Sequence, residues 1–350
     1  HKDQFLNNNF IGTGPYKLIG FKNEKQTLDP FSRYWGKRPN NQGIDYINFS
    51  NSSSLFGAIR NGEVDVLLSN SVDDGQRIAL YKLTKKGMLR EGLGPSIEIG
   101  YITLRSNLMP FNNRNIRKAI SYSVNRNLLS EKVSYGIREP LRSIVPPILK
   151  DENISPWPKY NPKASRKLLK EEGYCKDKIL TIPLTFRSNV PADKLLALFW
   201  KEQIKKDLSD CLKVEINGIE STTIYKQLSE GVYPAVILDW TGAYPDPESY
   251  LYPLLSCNEI DSDICKDGEA VFSGSFWGEQ ILQKALEDSE KLYGKERSMK
   301  LNEVEKLASN GSAYIPVWIV KPRAWSQLNI SKPEFDGSGL LLLNLLKKNK

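Results

Sequence analysis

Histidine is nearly absent: there is one in 350 residues, at position 1. Its scarcity excludes a Ser-His-Asp triad, a Cys-His dyad and a histidine-based zinc site, each of which needs an imidazole inside the fold. Long apolar runs are missing too. Stretches such as LLLL at Leu340–Leu343 fall far short of the ~20 residues that cross a bilayer. The opening HKDQFLNNNF has no initiator Met and no apolar core, so it is not a signal peptide and reads as a processed or truncated start. Cysteine is scarce, at four residues, none in CxxC spacing. Cys257 and Cys265 flank NEIDSDI, and Cys175 and Cys211 bracket one strand–helix unit. Pairing within single structural units favours 257–265 and 175–211, and with them an oxidising compartment; four buried free thiols are the alternative. A concentrated basic stripe is also lacking. The net charge of +8 is spread over separate pairs, Lys37-Arg38, Lys85-Lys86, Lys205-Lys206 and Lys347-Lys348, so nucleic acid is not an expected partner.

What is present is a chain longer than one hydrophobic core, which makes about two lobes the expected organisation. Up to about Gly94 short strands dominate (GPYKLIGF, DYINFS, EVDVLLS), with one helical patch at SSLFGAIRNG. GLGPS follows as a connector. Asn112 or Asn113 is placed to cap a helix that carries Ile116, Ala119, Ile120 and Val124 on one face and has Gly136 after its end. Asn161, Pro162 and Gly173 frame another helix as cap, first turn and C-terminal stop. Between the two lies the proline-rich loop IVPPILKDENISPWPKY. ILTIPLTF alternates Leu180, Ile182, Leu184 and Phe186, a strand pattern. The helix after it is expected to bury Leu196, Phe199, Trp200, Ile204 and Leu208, before KVEI returns as a strand. Helices around EQILQKALEDSEKLY and ERSMKLNEVEKLA and the strand AYIPVWIV complete a strand–helix alternation from 100 to 320, the mark of an α/β lobe.

An ordered set of motifs now carries a resemblance. GTGPYKL, SRYWGKRPNNQGIDYINF, LFGAIRNGEVDVL, GYITLRSNLMPFNNRNIRKAISYSVNRNLL, the VPPILKDE…YNPKASRKLLKEEGY pair, YPAVILDWTGAYPDPESYLYPLLSC and AYIPVW span nearly all of the chain. In this order they resemble the family 5 extracellular solute-binding proteins, the oligopeptide-, dipeptide- and nickel-binding components of ABC importers. The resemblance implies a two-lobed α/β fold of the type II periplasmic-binding-protein kind, with a ligand clamped between the lobes. The crossings would fall at Gly94-Pro95 and Lys321-Pro322, where the residue before proline is pushed to an extended conformation. Residues 1–96 with 322–350 would then form the first lobe and 97–321 the second. Family members carry a long segment ahead of GTGPY, so the first lobe is expected to be incomplete.

The resemblance also places the ligand. In similar oligopeptide binders the strand matching Leu238–Thr241 pairs main chain to main chain with the ligand. It implies Trp240 as a pocket wall, with a core Trp as the alternative, and Tyr101 as cleft-facing or core. Asp239 interrupts an apolar run and must be solvated, paired or facing ligand. Asp246 in YPDP is expected to bond the backbone two residues on. Thr241 belongs to the same ligand-facing stretch. In peptide binders of this kind an Asp three residues after the Trp receives the ligand's α-ammonium group; here that place is Ala243. No catalytic group, metal ligand set or cofactor is expected. The implied function is a monomeric, periplasmic, non-enzymatic component that captures a peptide-like or other small solute and delivers it to an inner-membrane ABC permease. Two other readings remain open: the ligand-sensing domain of a cytoplasmic transcriptional regulator, and a hydrolase using Asp239 and Asp246 as paired carboxylates.

Overall fold

The computed structural model describes residues 12–22, 24–152 and 154–349. His1 and the HKDQFLNNNF stretch lie outside the described residues, as does Asn153 of the proline-rich loop. The chain divides into two compact units, His1–Pro95 with Pro322–Lys350, and Ser96–Lys321.

In the first unit, β1 (Tyr16–Lys22), β2 (Lys25–Pro30) and β3 (Ile44–Ile47) form an antiparallel meander. Helix α1 (Ser52–Asn61) starts where the Asn51 side chain accepts from the Ser54 amide and stops at Gly62, whose φ of 78° suits glycine. A second sheet holds β4 (Val66–Leu68), β5 (Arg90–Leu93) and, between them, β14 (Arg323–Ser326). A strand from the far end of the chain thus takes the central place, which ties the segment after Pro322 to this unit. Helix α2 (Asp74–Lys85) packs its Leu80 with Ile59, Leu67, Val72, Leu89 and Trp325 in one small core. At Gly94 the amide donates to the Pro322 carbonyl (2.8 Å). A Cβ there would meet Pro322 Cγ at 2.7 Å, so only glycine fits this approach.

The second unit is built on six strands in the order β7-β13-β6-β10-β8-β9. These are β6 (Glu98–Leu104), β7 (Glu139–Pro140), β8 (Leu180–Arg187), β9 (Leu212–Ile219), β10 (Ala235–Trp240) and β13 (Tyr314–Val320). Strands β10, β8 and β9 run parallel, whereas β6 is antiparallel to both β10 and β13. From β8 the chain passes through α6 (Pro191–Asp207) to β9 on one side. It then returns through α7 (Ser221–Gln227) to β10 on the other side of β8. The two connecting helices lie on opposite faces. Leu196, Trp200 and Ile204 of α6 join one core cluster with Ile182 and Leu184, and Ile224 of α7 joins the other with Val236 and Leu238. Burial on both faces explains why AVIL in β10 is a continuous apolar run.

Two local expectations are corrected. The stretch expected as one capped helix before Gly136 is two: α3 (Arg114–Tyr122), capped by Asn113, and α4 (Arg126–Ser134), capped by Asn125. Asn125 accepts from the Leu128 amide (3.1 Å), which starts a second helix where 3.6-residue periodicity alone shows no break. On α6, Phe199 is 38% exposed, because the buried stripe runs through Leu196, Ala197, Trp200 and Ile204 and leaves it on the flank. Helix α5 (Pro162–Glu171) starts at Asn161 and Pro162, and Gly173 follows it with φ 81°, as expected. The proline-rich loop is pinned by Trp157, which is fully buried and donates from Nε1 to the Tyr314 carbonyl (2.6 Å).

Both disulfides form as expected, Cys175–Cys211 and Cys257–Cys265, closing separations of 36 and 8 residues. In the chain-entropy account these loops are worth about 4 and about 2.5 kcal/mol. Alkylation of the unreduced protein is therefore expected to leave its mass unchanged, and Cys175→Ser should lower stability more than Cys257→Ser in urea denaturation. Four thiols labelled without reductant would contradict both bridges.

Candidate functional site

Strands β8 and β10 are parallel neighbours whose connections leave in opposite directions, so their carboxyl ends border a topological switch point. In open α/β sheets this is where ligands bind. Each strand ends there in a charge: β8 in Arg187 and β10 in Asp239-Trp240. The charges meet. Arg187 Nη1 and Nη2 donate to the two Asp239 carboxylate oxygens at 2.8 and 2.7 Å. Nε and Nη2 donate to Asp193, in the first turn of α6, at 2.7 and 3.2 Å. Nη1 also reaches the Tyr225 hydroxyl of α7 at 3.1 Å. Every N–H of the guanidinium has an acceptor, and the helix leaving β8 and the helix leading into β10 each contribute one.

The electrostatics follow from burial. Arg187 and Asp193 are 5% and 3% exposed, whereas about a third of the Asp239 side chain reaches solvent. Burial opposes the Arg187 charge, but Asp193 and Asp239 outweigh it and raise its pKa. Burial pushes the Asp193 carboxyl up to about 6 against the pull of Arg187. Two carboxyl groups share one guanidinium, and Asp239 is the cluster's outward edge.

The residues singled out in the sequence take different places. Trp240 is half-buried against the second core cluster, and its Nε1 donates to the Ser249 carbonyl (2.8 Å). Thr241 and Ala243 are exposed on the loop that follows. Gly242 is buried, and a Cβ there would collide with Ser249 and Tyr250 of α8 (Glu248–Leu255), which folds the loop back on that helix. Asp246 accepts the Glu248 amide (2.8 Å), the bond two residues on that its YPDP setting implied. Both its oxygens also receive Arg297 (2.9 Å each). Burial works against the Asp246 charge, but the Arg297 bonds win and hold its pKa below the usual carboxylate value. Tyr101 is 2% exposed and sits edge-on to Tyr314 inside the second cluster, the core alternative rather than an open wall. Asp239 and Asp246 each carry their own arginine and do not form a carboxylate pair with each other. Arg187, Asp193 and Tyr225 were not singled out in the sequence. The signal for Arg187 was there: the apolar runs of β8 and β10 both stop at charges, of opposite sign.

Comparison with known proteins is decisive on kinship. The family described as bacterial extracellular solute-binding proteins, family 5 Middle, matches residues 1–262. The chain belongs to this family. Among curated members it is 26% identical to Heme-binding protein A of Haemophilus influenzae, over 90% of this chain and 56% of that protein. It is 25% identical to the Dipeptide-binding protein of Escherichia coli, over 72% of this chain and 46% of that one. The chain thus spans about half the length of the curated relatives it matches. The solved Haemophilus influenzae OppA, in complex with RPPGFSPFR, superposes with a TM-score of 0.83 at 20% identity, over 99% of this chain and 67% of that one. The fold is therefore the expected two-lobed α/β fold of this family. By name these relatives are binding proteins. No helix among the described residues is long and apolar enough to cross a membrane.

Removing the guanidinium should expose the asymmetry of the cluster. Arg187→Met leaves Asp193 buried without a counter-charge and is expected to cost about 3–5 kcal/mol. Asp239→Asn, at a half-exposed site with Asp193 still holding Arg187, should cost about 1 kcal/mol. Urea denaturation of the two variants measures this; equal costs would contradict the burial order.

Proposed function

We infer that this chain is the body of a solute-binding component of an ABC importer, capturing a peptide-like solute without chemical turnover and passing it to a membrane permease. The observation that carries the reading is the Arg187–Asp239 pair at the switch point between β8 and β10. Family membership supports the transport role, and the two disulfides support an extracytoplasmic, periplasmic setting. The regulator reading has no comparable observation in its favour.

The site also bears on which solute. A ligand α-ammonium would find Ala243, which offers no carboxylate, and Asp246 is already bound by Arg297 and the Glu248 amide. Losing one partner of a buried charge pair costs about 2–5 kcal/mol. The solute accordingly has no free α-amino group at this position, or brings its amine elsewhere, and the solvent-facing edge of the Asp239 carboxyl suits a donor group there. Isothermal titration of one peptide with free and with acetylated N-terminus tests this. Asp246→Asn is expected to leave both affinities unchanged. A strong preference for the free amine that disappears in Asp246→Asn would make Asp246 the anchor and overturn the reading.

A further inference from the structure

The start of α4 gathers positive charge and no negative. Arg126 is the first residue of this helix, and the first turn holds no carboxylate. Its guanidinium therefore adds to the positive end of the helix dipole instead of offsetting it. The residue is 4% exposed. Nε donates to the Pro316 carbonyl (2.6 Å), and Nη1 to the Pro158 and Val124 carbonyls (3.1 and 3.5 Å). Nη2 is sealed from solvent and has no hydrogen-bond partner among the described residues. A buried N–H of this kind calls for an acceptor. A second guanidinium lies beside it. Arg142, half-buried, donates from Nη1 to the Ser155 and Trp157 carbonyls (3.1 and 2.9 Å). Consecutive carbonyls of the proline-rich loop, Trp157 and Pro158, thus hold the two Nη1 groups. Carbonyl oxygens satisfy the bonds they accept but do not neutralise a charge. Burial, and then the like charge of Arg142, lower the Arg126 pKa to about 9, and no acidic group pulls the other way. Arg117, the other arginine buried on carbonyls, does have Glu279 and Asp263 pulling its pKa back up.

We propose that a small monovalent anion, of chloride size, binds between Arg126 and Arg142, accepts from Arg126 Nη2 and supplies the pair with a counter-charge. The seal sets the size: a group closed off from bulk water is reached by an ion of about a water molecule's volume and not by a phosphate. The role is structural. The two arginines already tie the start of α4 and the proline-rich loop to β13, and the anion removes the repulsion that this tie creates. It shares no residue with the Arg187 cluster and is independent of any solute there.

Thermal melting at constant ionic strength, with sodium gluconate replaced stepwise by sodium chloride, tests this. The Tm is expected to rise with chloride and reach a plateau. Arg142→Met should move the half-saturating chloride concentration at least about tenfold higher. Arg60→Met, at an exposed helix end in the other unit, should leave it unchanged. Arg142→Met also gives up two carbonyl bonds, so crystals of the wild-type protein grown in sodium bromide supply an independent reading. An anomalous peak is expected within hydrogen-bond distance of Arg126 Nη2. The proposal is overturned by a Tm indifferent to chloride, or by a chloride plateau that Arg142→Met leaves in place. It is equally overturned by a plateau given by phosphate and not by chloride, or by a water without anomalous signal at Nη2.

Discussion

A guanidinium taken out of water keeps its charge only where anions or carbonyls replace the solvent, and the site between β8 and β10 is organised by that demand at Arg187. Asp193 comes from the helix leaving β8, Asp239 from the end of β10, and Tyr225 from the helix that leads into β10. One side chain thus joins the three elements that define the switch point, and each partner has a different exposure. Asp193 is sealed and holds the arginine in place. Asp239 closes the cluster on its open side and is the carboxylate of the pair that reaches solvent.

Two other buried arginines show what the same group does when the fold alone needs it. Arg117 donates to the carbonyls of Gly311, Phe111 and Asn112, and Arg126 to those of Pro316 and Pro158. No carboxylate is among these acceptors, and burial lowers the two pKa values to about 10 and about 9. They fasten α3 and α4 to the segment running from α11 (Gly294–Gly311) into β13. Carbonyls bind a guanidinium in fixed geometry and have no charge to exchange with a ligand. At Arg187 two of the three partners are carboxylates, and about a third of one of them reaches solvent. The contrast separates a structural arginine from one at a candidate site by the chemistry of what it binds.

Much of this was legible in the sequence, for physical reasons. Alternation in ILTIPLTF, the Asn161-Pro162 start and the Gly173 stop are local signals, and local signals decided those elements. The two disulfides followed from pairing within single units. The break at Asn125 was hidden because an asparagine cap in the middle of a periodic stretch looks like a solvated helix position. At the site, the role of Asp246 as a turn residue was readable because its partner lies two residues away. The Arg187–Asp239 pair was not, because its partners are 52 residues apart and meet only once the strand order is known. Tyr101 was ambiguous for a related reason: which face of β6 is sealed depends on Tyr314 and the helices beneath it.

The central claim is that Asp239, held by Arg187 at the switch point, meets the solute. It is tested most directly by native mass spectrometry of the wild-type protein and the Asp239→Asn variant after exposure to one mixture of short peptides. The account predicts that the wild type retains bound species that the variant, still cooperatively folded in thermal melting, has lost or holds at least about tenfold more weakly. Retention of the same species with the same affinity by both proteins would contradict it.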